Sequence, residues 1–456
     1  MTGTKTIRLS DHWECLEGVI PSVGVTAARD GTPNVAYLSH VFYVDEEHVA
    51  LSNQFMSKTV RNIMENPRLQ VAVVNGRTGQ ALVLDLVFER AETSGPLFDE
   101  LAVCVTAVAS HFGMDKVMRL RSADIYRVLA IELQEVDPGS GASTLPAAIR
   151  PNPLFEAVSL SRALSRLDDL DAAIDLVLDR LEHAFGMRHC TIFLADSERH
   201  VLTAIASRNY SSKGTGAEFR WGEGVLGIAA EKQLTLRFSC IGRHFLYASN
   251  VKAAGHLSPA ILREIPMPGL DAPQSILAVP MLAGGEVRGL IFAESESKLA
   301  FAPADGQAVS VIAAQLGALV ALHESSRERD AVLSALPAKA TPSGRQGKEI
   351  LVEHYAYDDS VFINHDYVIK GVPGRLLWRM LQIFDAEGRH EFTNREFRLD
   401  ASLKLPEFKD NLETRLLLLS RRLAENDWPV KVARTGRGRV NLAVAGRLTM
   451  RQIETV

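Results

Sequence analysis

Two stretches of this 456-residue chain cannot take part in a packed core, and they decide how the rest can fold. Residues 136–153, VDPGSGASTLPAAIRPNP, and residues 336–349, LPAKATPSGRQGKE, are crowded with Pro, Gly, Ser and Ala. Such runs sustain neither a helical nor a strand period of burial. They divide the chain into about 1–140, 154–330 and 348–456, in keeping with a length that exceeds a single core. No internal repeat or sustained heptad offers another partition.

Composition narrows the class. Apolar residues make up 46% and charged residues 23%, an ordinary globular balance. No uninterrupted apolar run approaches the roughly 20 residues of a spanning helix. The start, MTGTKTIRLSDHWECLEG, lacks both an apolar signal core and an Arg/Ser-rich presequence. A cytoplasmic protein with no membrane contact is therefore expected. Cys15, Cys104, Cys190 and Cys240 lie far apart without a CxxC pair. No metal site or disulfide framework is expected, only small buried or half-buried residues. The net charge of −5 hides an asymmetry: from Lys409 to Arg451 there are ten Lys/Arg against four Asp/Glu, and from Gly347 to Phe408 eight against eleven. A basic end on a mildly acidic chain points to a local polyanion contact.

The first segment alternates apolar and polar residues in PSVGVTAA, NVAYLSHVFYV, HVALSNQ, LQVAVVN and ALVLDLVFERAE. Period-two runs with short polar breaks predict antiparallel strands closing into a small barrel. Between the third and fourth runs, SNQFMSKTVRNIMENPRLQ changes to a helical period and stops before Pro67. A strand thus feeds a helix whose first turn carries Ser57, Lys58 and Thr59. Free N–H groups, the positive end of the helix dipole, two hydroxyls and an ammonium suit a phosphate. On spacing alone, Ser57 could equally be a cap and Lys58 a solvated side chain.

The run NQFxSKTxRNxxxNPR and its flanking strands resemble the pyridoxamine 5'-phosphate oxidase-like flavin-binding split barrels, over residues 12 to 135. The resemblance implies a dimeric barrel binding FMN, or in some relatives a deazaflavin or haem, between subunits. Carried over by position, Ser57, Lys58 and Thr59 would hold the flavin phosphate. Asn53 and Gln54 would lie near the ribityl chain or ring, with Arg61 nearby. No second basic cluster matches the one that binds the substrate phosphate in the oxidases proper. The tail of the segment predicts a helix and a closing strand, with His111 at core spacing.

In the second segment Ile174, Val177, Leu178, Leu181 and Phe185 form an apolar helical stripe. Strands follow at CTIFLAD, VLTAIAS, SILAVPML and VRGLIFAES, then a helix from about Pro303 to Glu324. This order predicts an α+β domain with helices on one face. The turn Trp221-Gly222-Glu223-Gly224-Val225-Leu226-Gly227, the strand around Pro280 and GGEVRGLIFAES resemble a GAF domain over about 154 to 325. That implies a small-ligand pocket, lined here by Trp221, Phe238, Cys240, His244, Phe245, Tyr247 and His256. The same aromatics would also serve as plain core, and the fold names no ligand.

The third segment predicts paired strands in ILVEHYAYDDSVFINHDYVI, a helix in GRLLWRMLQIFDAEG, a short helix after Asn394 and a long one from about Glu407 to Glu425. A β-hairpin follows around Thr435-Gly436-Arg437-Gly438. In the long helix Leu412, Leu416, Leu419 and Leu423 face the core. Other faces carry Lys409, Asn411, Arg415, Arg421 and Arg422, while the hairpin adds Arg434, Arg437 and Arg439. Arg and Asn match base edges in the major groove, and basic hairpins suit phosphates or the minor groove. A charged outer face is also what any amphipathic helix shows. NLETRLLLLSRRL and VKVARTGRGRV resemble the winged-helix output domain of OmpR-type response regulators, over about 350 to 445. That implies binding to double-stranded DNA, without the receiver domain usual upstream.

The expected whole is a multidomain α+β protein: split barrel, then GAF sandwich, then winged helix. The expected function is a flavin- or ligand-sensing transcriptional regulator, a homodimer because such modules pair. The alternatives are an FMN-dependent oxidoreductase with a regulatory GAF domain and a protein-docking tail, and a flavin-free scaffold.

Overall fold

The computed structural model describes residues 7–38, 40–54, 57–111, 119–134, 152–211, 214–241, 268–330, 349–403, 405, 412–436 and 438–454. Of the candidate site residues, His244, Phe245, Tyr247, His256, Lys409, Asn411 and Arg437 lie outside the described residues.

The first unit opens with α1 (Trp13–Leu16), followed by β1 (Ser22–Ala27), β2 (Pro33–Leu38), β3 (Phe42–Tyr43) and β4 (His48–Asn53). Helix α2 (Ser57–Glu65), β5 (Arg68–Val74), β6 (Ala81–Glu92), α3 (Pro96–His111) and β7 (Ser122–Gln134) complete it. Seven antiparallel strands run in the order β2-β1-β5-β6-β7-β4-β3. Alternation explains their two faces. Leu51, Val71, Leu84 and Tyr126 point into the barrel interior, while Ala50, Ala123 and Ile125 pack with Leu101 of α3 on the outside. The run NVAYLSHVFYV is two strands at opposite edges, not one. Leu38 and Val41 both enter the barrel core, and residues three apart on one extended strand would face opposite ways.

The second unit comprises α4 (Pro153–Leu164), α5 (Leu170–His183), β8 (His189–Asp196), β9 (Val201–Arg208), β10 (Glu218–Arg220) and α6 (Gly224–Lys232). Then come β11 (Leu236–Phe238), β12 (Ser275–Ala283), β13 (Glu286–Ser295) and α7 (Pro303–Asp330). The antiparallel sheet runs β10-β9-β8-β13-β12-β11. Ile192, Leu194, Val279 and Ile291 meet α4, α5 and α7 on one face. Helices do not keep to that face, contrary to the sequence expectation. Phe193, Leu202, Leu290 and Phe292 are buried on the other, under α6 and α3 of the first unit. Both faces of these strands are apolar, so both need cover.

Part of α7, Pro303–Glu324, is long and apolar enough to cross a membrane by length and composition. No uninterrupted apolar run marks it in the sequence, because scattered polar residues such as Gln307, Ser310 and Gln315 break the run while leaving the mean hydropathy high. Here the helix is core: Ala308, Val309, Ile312, Leu316 and Val320 are buried in the cluster that includes the sheet.

The third unit begins with β14 (Glu349–Tyr355), β15 (Ser360–Ile363), β16 (Asp366–Ile369) and α8 (Gly371–Glu387). It continues through β17 (Glu391–Thr393), α9 (Asn394–Leu399), α10 (Leu412–Glu425), β18 (Val430–Gly436), β19 (Arg439–Val444) and β20 (Arg447–Ile453). One sheet runs β16-β15-β14-β20, with β20 parallel to β14, and another runs β17-β19-β18. Thr393 and Glu396 form a capping box that starts α9 directly after β17.

Candidate functional site

In the first unit, Asn53 ends β4 and Gln54 follows it, Ser57 opens α2, and Lys58 and Arg61 are exposed. Thr59 is buried, its hydroxyl accepting from the Asn34 amide at 3.2 Å. Asn62 donates to Thr26 at 3.1 Å, fixing α2 across β1 and β2. The first turn of α2 holds no acidic residue, and edge strand β2 beside it exposes Val35 (63%) and Tyr37 (79%). A phosphate-friendly helix start thus borders a bare apolar strip. The motif flagged α2; it gave no hint of Asp124, buried on β7, which accepts from Ser122 at 2.6 Å. Burial pushes the Asp124 carboxyl up, against hydrogen bonds from Ser122 and Asn53.

In the second unit, the Trp221 ring meets His200 edge-on at 5.0 Å, and Trp221 and Phe238 pack against the sheet's second face. Cys240 is half-buried. The turn before α6 needs its glycines: Gly222 and Gly224 have φ of +80° and +58°, and a Cβ on Gly227 would lie 2.2 Å from the Arg220 carbonyl. The same sheet carries a carboxylate that no motif announced. Glu294 on β13 is buried and accepts from Tyr210 Oη and Leu270 N, both at 3.1 Å. Burial outweighs those two bonds and raises its pKa to about 7. Burial likewise pushes the thiols of Cys15 up to about 11 and of Cys104 and Cys190 up to about 12. They stay protonated and unreactive. Among the described residues no group of His, Cys, Asp and Glu is arranged to hold a metal ion.

In the third unit the arginines part company. Arg422 faces its own unit, donating to the Val368 carbonyl at 2.9 Å and pairing with Glu425 at 3.0 Å. Arg439 is exposed on β19. Arg415, Arg421 and Arg434 all reach the second unit. Arg415 meets Asp196 at 2.6 Å, Arg421 meets Asp171 at 2.6 Å and Asp175 at 3.2 Å, and Arg434 meets Asp169 at 3.4 Å while also pairing with Glu413 of its own unit at 3.2 Å. Burial resists ionisation of Asp196, but the Arg415 hydrogen bond and charge overcome it and hold the carboxyl below its ordinary range.

Residues 15–136 match the family model described as Pyridoxamine 5'-phosphate oxidase, and residues 168–321 match the GAF domain model. The chain joins a split barrel of the FMN-binding type to a GAF domain. A curated relative, an uncharacterized protein of Methanocaldococcus jannaschii, is 34% identical over 76 residues, 16% of this chain. The chain spans about half the length of that relative (50%). Among solved structures, the GAF domain of an Acinetobacter phosphoenolpyruvate-protein phosphotransferase is 19% identical, covering 38% of this chain and 95% of that one, with TM-score 0.31. An FMN-binding protein of Syntrophomonas wolfei is 13% identical, covering 28% and 90%, with TM-score 0.24. A chain titled F420 reductase is 16% identical, covering 26% and 93%, with TM-score 0.20.

Barrel and GAF domain do not merely share a chain. Ala107 of α3 is fully buried in the GAF cluster beneath α6, with Val103, Cys104 and Val108 packed around it. Gly224 N, at the start of α6, donates to Ser110 Oγ at 3.0 Å. Arg237 of the GAF domain meets Glu17 of the barrel at 2.5 Å and lies 5.5 Å from the Trp13 ring centre. Burial opposes ionisation of Glu17, and Arg237 outweighs it, keeping that carboxyl below its usual range. In sequence α3 reads as an ordinary apolar helix, so nothing distinguished its inward face from its docking face.

Proposed function

We propose that the chain is a cytoplasmic sensor-regulator, a homodimer whose barrel binds a flavin-type cofactor, whose GAF domain binds a small ligand, and whose terminal unit binds double-stranded DNA as a winged helix. One observation carries the DNA reading. Arg415 and Arg421 from a helix and Arg434 from the following hairpin all reach one neighbouring surface, so helix and hairpin present their guanidinium groups on a common face. Three forked donors on one face match a row of phosphates and base edges. The element order supports it as well: β14 to β16, three helices, and a hairpin paired to the short strand β17.

The residues of the barrel fit a flavin. Lys58, Thr59 and Asn34 supply cationic and neutral donors at a helix start free of carboxylates, and Val35 and Tyr37 offer an apolar surface for a flat ring. When bound, a flavin would supply electron transfer. Lys58 would neutralise the phosphate, with Ser57 beside it, and the Asn34 bond would fix the Thr59 hydroxyl.

Two measurements test this reading. A flavin absorbance spectrum should accompany the purified protein or appear on adding FMN. Binding to a labelled duplex should weaken steeply with salt, and Arg439→Ala should lower the slope of log K against log salt by about 1. Salt-independent or absent duplex binding refutes the regulator.

A further inference from the structure

We propose that the GAF domain's aspartates compete with DNA for the arginine face, so that the terminal unit grips a duplex only after parting from the GAF domain. This rests on the DNA reading above and names how that site is regulated.

In the described part of α10 only Ala424 is exposed among the helix residues. Arg415 and Arg421 are 20% and 16% exposed, each covered by the GAF domain rather than by solvent. The acidic partners are built in. Asp169 caps α5, its side chain accepting from Ala172 N, and Asp171 sits in the first turn, where the helix dipole favours negative charge. Asp196 ends β8. Two further contacts follow the same polarity or close the seam: Lys370 meets Glu218 at 3.6 Å, and Glu425 accepts from Thr215 N at 3.1 Å.

Covered by the GAF domain, Arg415 and Arg421 cannot reach a duplex phosphate while they hold its carboxylates, so the two partners exclude each other. The closed contact is also imperfect. Arg421 places two nitrogens near a single oxygen of Asp171, and Arg415 Nε is buried with no partner among the described residues. Leu418 is buried in the same apolar cluster as Leu194 and Ile205. Partly exposed pairs that leave donors unused make a contact that can reopen.

The test uses the full chain and a mixed-sequence labelled duplex at low salt, read by fluorescence anisotropy. The double variant Asp171→Asn/Asp196→Asn should bind roughly tenfold tighter or more than the wild type. Because Asp196 is half-buried, the single variant Asp175→Lys, at an exposed position, is measured beside it and should also tighten binding. Small-angle scattering should show both variants expanded. Equal duplex affinity for wild type and both variants overturns the competition while the DNA reading stands. No duplex binding by any of the three overturns both. Weaker binding by the aspartate variants would make the contact a scaffold for DNA binding and equally overturn the proposal.

Discussion

Replacing Glu294 by Gln should make the GAF domain more stable at alkaline pH and leave it nearly unchanged in mild acid. The wild-type carboxyl ionises near pH 4.5 in the unfolded chain and near about 7 in the fold, where burial disfavours its charge. Below pH 4.5 both states are protonated and nothing is lost. Between pH 4.5 and about 7 only the unfolded chain ionises, and each pH unit in that window costs the fold about 1.4 kcal/mol. Above about 7 both states are ionised and the full penalty, on the order of 3 kcal/mol, persists. Gln carries no charge at any pH, and its carbonyl oxygen can still accept from Tyr210 and Leu270.

The variant should therefore match the wild type near pH 4.5 and exceed it by up to about 3 kcal/mol at pH 8. For a domain of this size that is about 6 to 12 °C in melting temperature. His189 pairs with Glu294 across β8 and β13, so His189→Gln is the control that isolates the carboxyl's own titration. Scanning calorimetry at several pH values resolves the GAF transition, since a multidomain chain need not melt as one unit. A variant-minus-wild-type difference that is the same at pH 5 and pH 8 would refute the buried, neutral-preferring Glu294.

Three further outcomes follow from the packing. Gly227→Ala puts a methyl 2.2 Å from the Arg220 carbonyl and should destabilise the GAF domain by at least about 2 kcal/mol, seen as a lowered melting temperature. Ala107→Leu overfills the fully buried α3–α6 contact, so barrel and GAF transitions should separate in calorimetry, with about 1–3 kcal/mol lost at that joint. Lys58→Ala should weaken FMN binding about tenfold while leaving riboflavin, which lacks the phosphate, nearly unaffected in a fluorescence titration.

How much of this could be read from the chain depends on what each residue answers to. The barrel strands were legible because burial imposes a period of two, the four long GAF strands because burial on both faces leaves short continuous apolar runs, and α5 because Ile174, Val177 and Leu181 repeat on one helical face. Strands β17 and β20 were not: three residues and a half-polar run become strands only by pairing with β19 and β14. Lys58 and Thr59 stood out through a local motif, whereas Glu294 resembles any polar residue ending an apolar strand until Tyr210 and Leu270 arrive from distant segments. The arginines of α10 illustrate the sharpest limit. Helical spacing separates Arg415 from the leucine stripe, but it cannot say that Arg422 clamps the Val368 carbonyl while Arg421, one position earlier, crosses to another domain.

Those crossing contacts also bound how strong any regulation through them can be. The aspartates facing Arg421 and Arg434 are roughly half exposed, so solvent screens them, and such pairs contribute at most about 1 kcal/mol each. The three arginine pairs then contribute about 1–3 kcal/mol to holding the units together, beside the buried Leu418 and the Lys370–Glu218 and Thr215–Glu425 contacts. A ligand shifts this balance only by its difference in affinity for the closed and open arrangements. A GAF ligand or cofactor that acts only by releasing these three pairs should therefore raise duplex affinity by no more than about 100-fold. The double aspartate variant, which removes the Arg415 and Arg421 partners Asp196 and Asp171, should take up most of that gain and leave a smaller ligand effect. A ligand effect well above 100-fold in anisotropy titrations, or one that survives undiminished in Asp171→Asn/Asp196→Asn, would mean that control runs through some contact other than these three arginines.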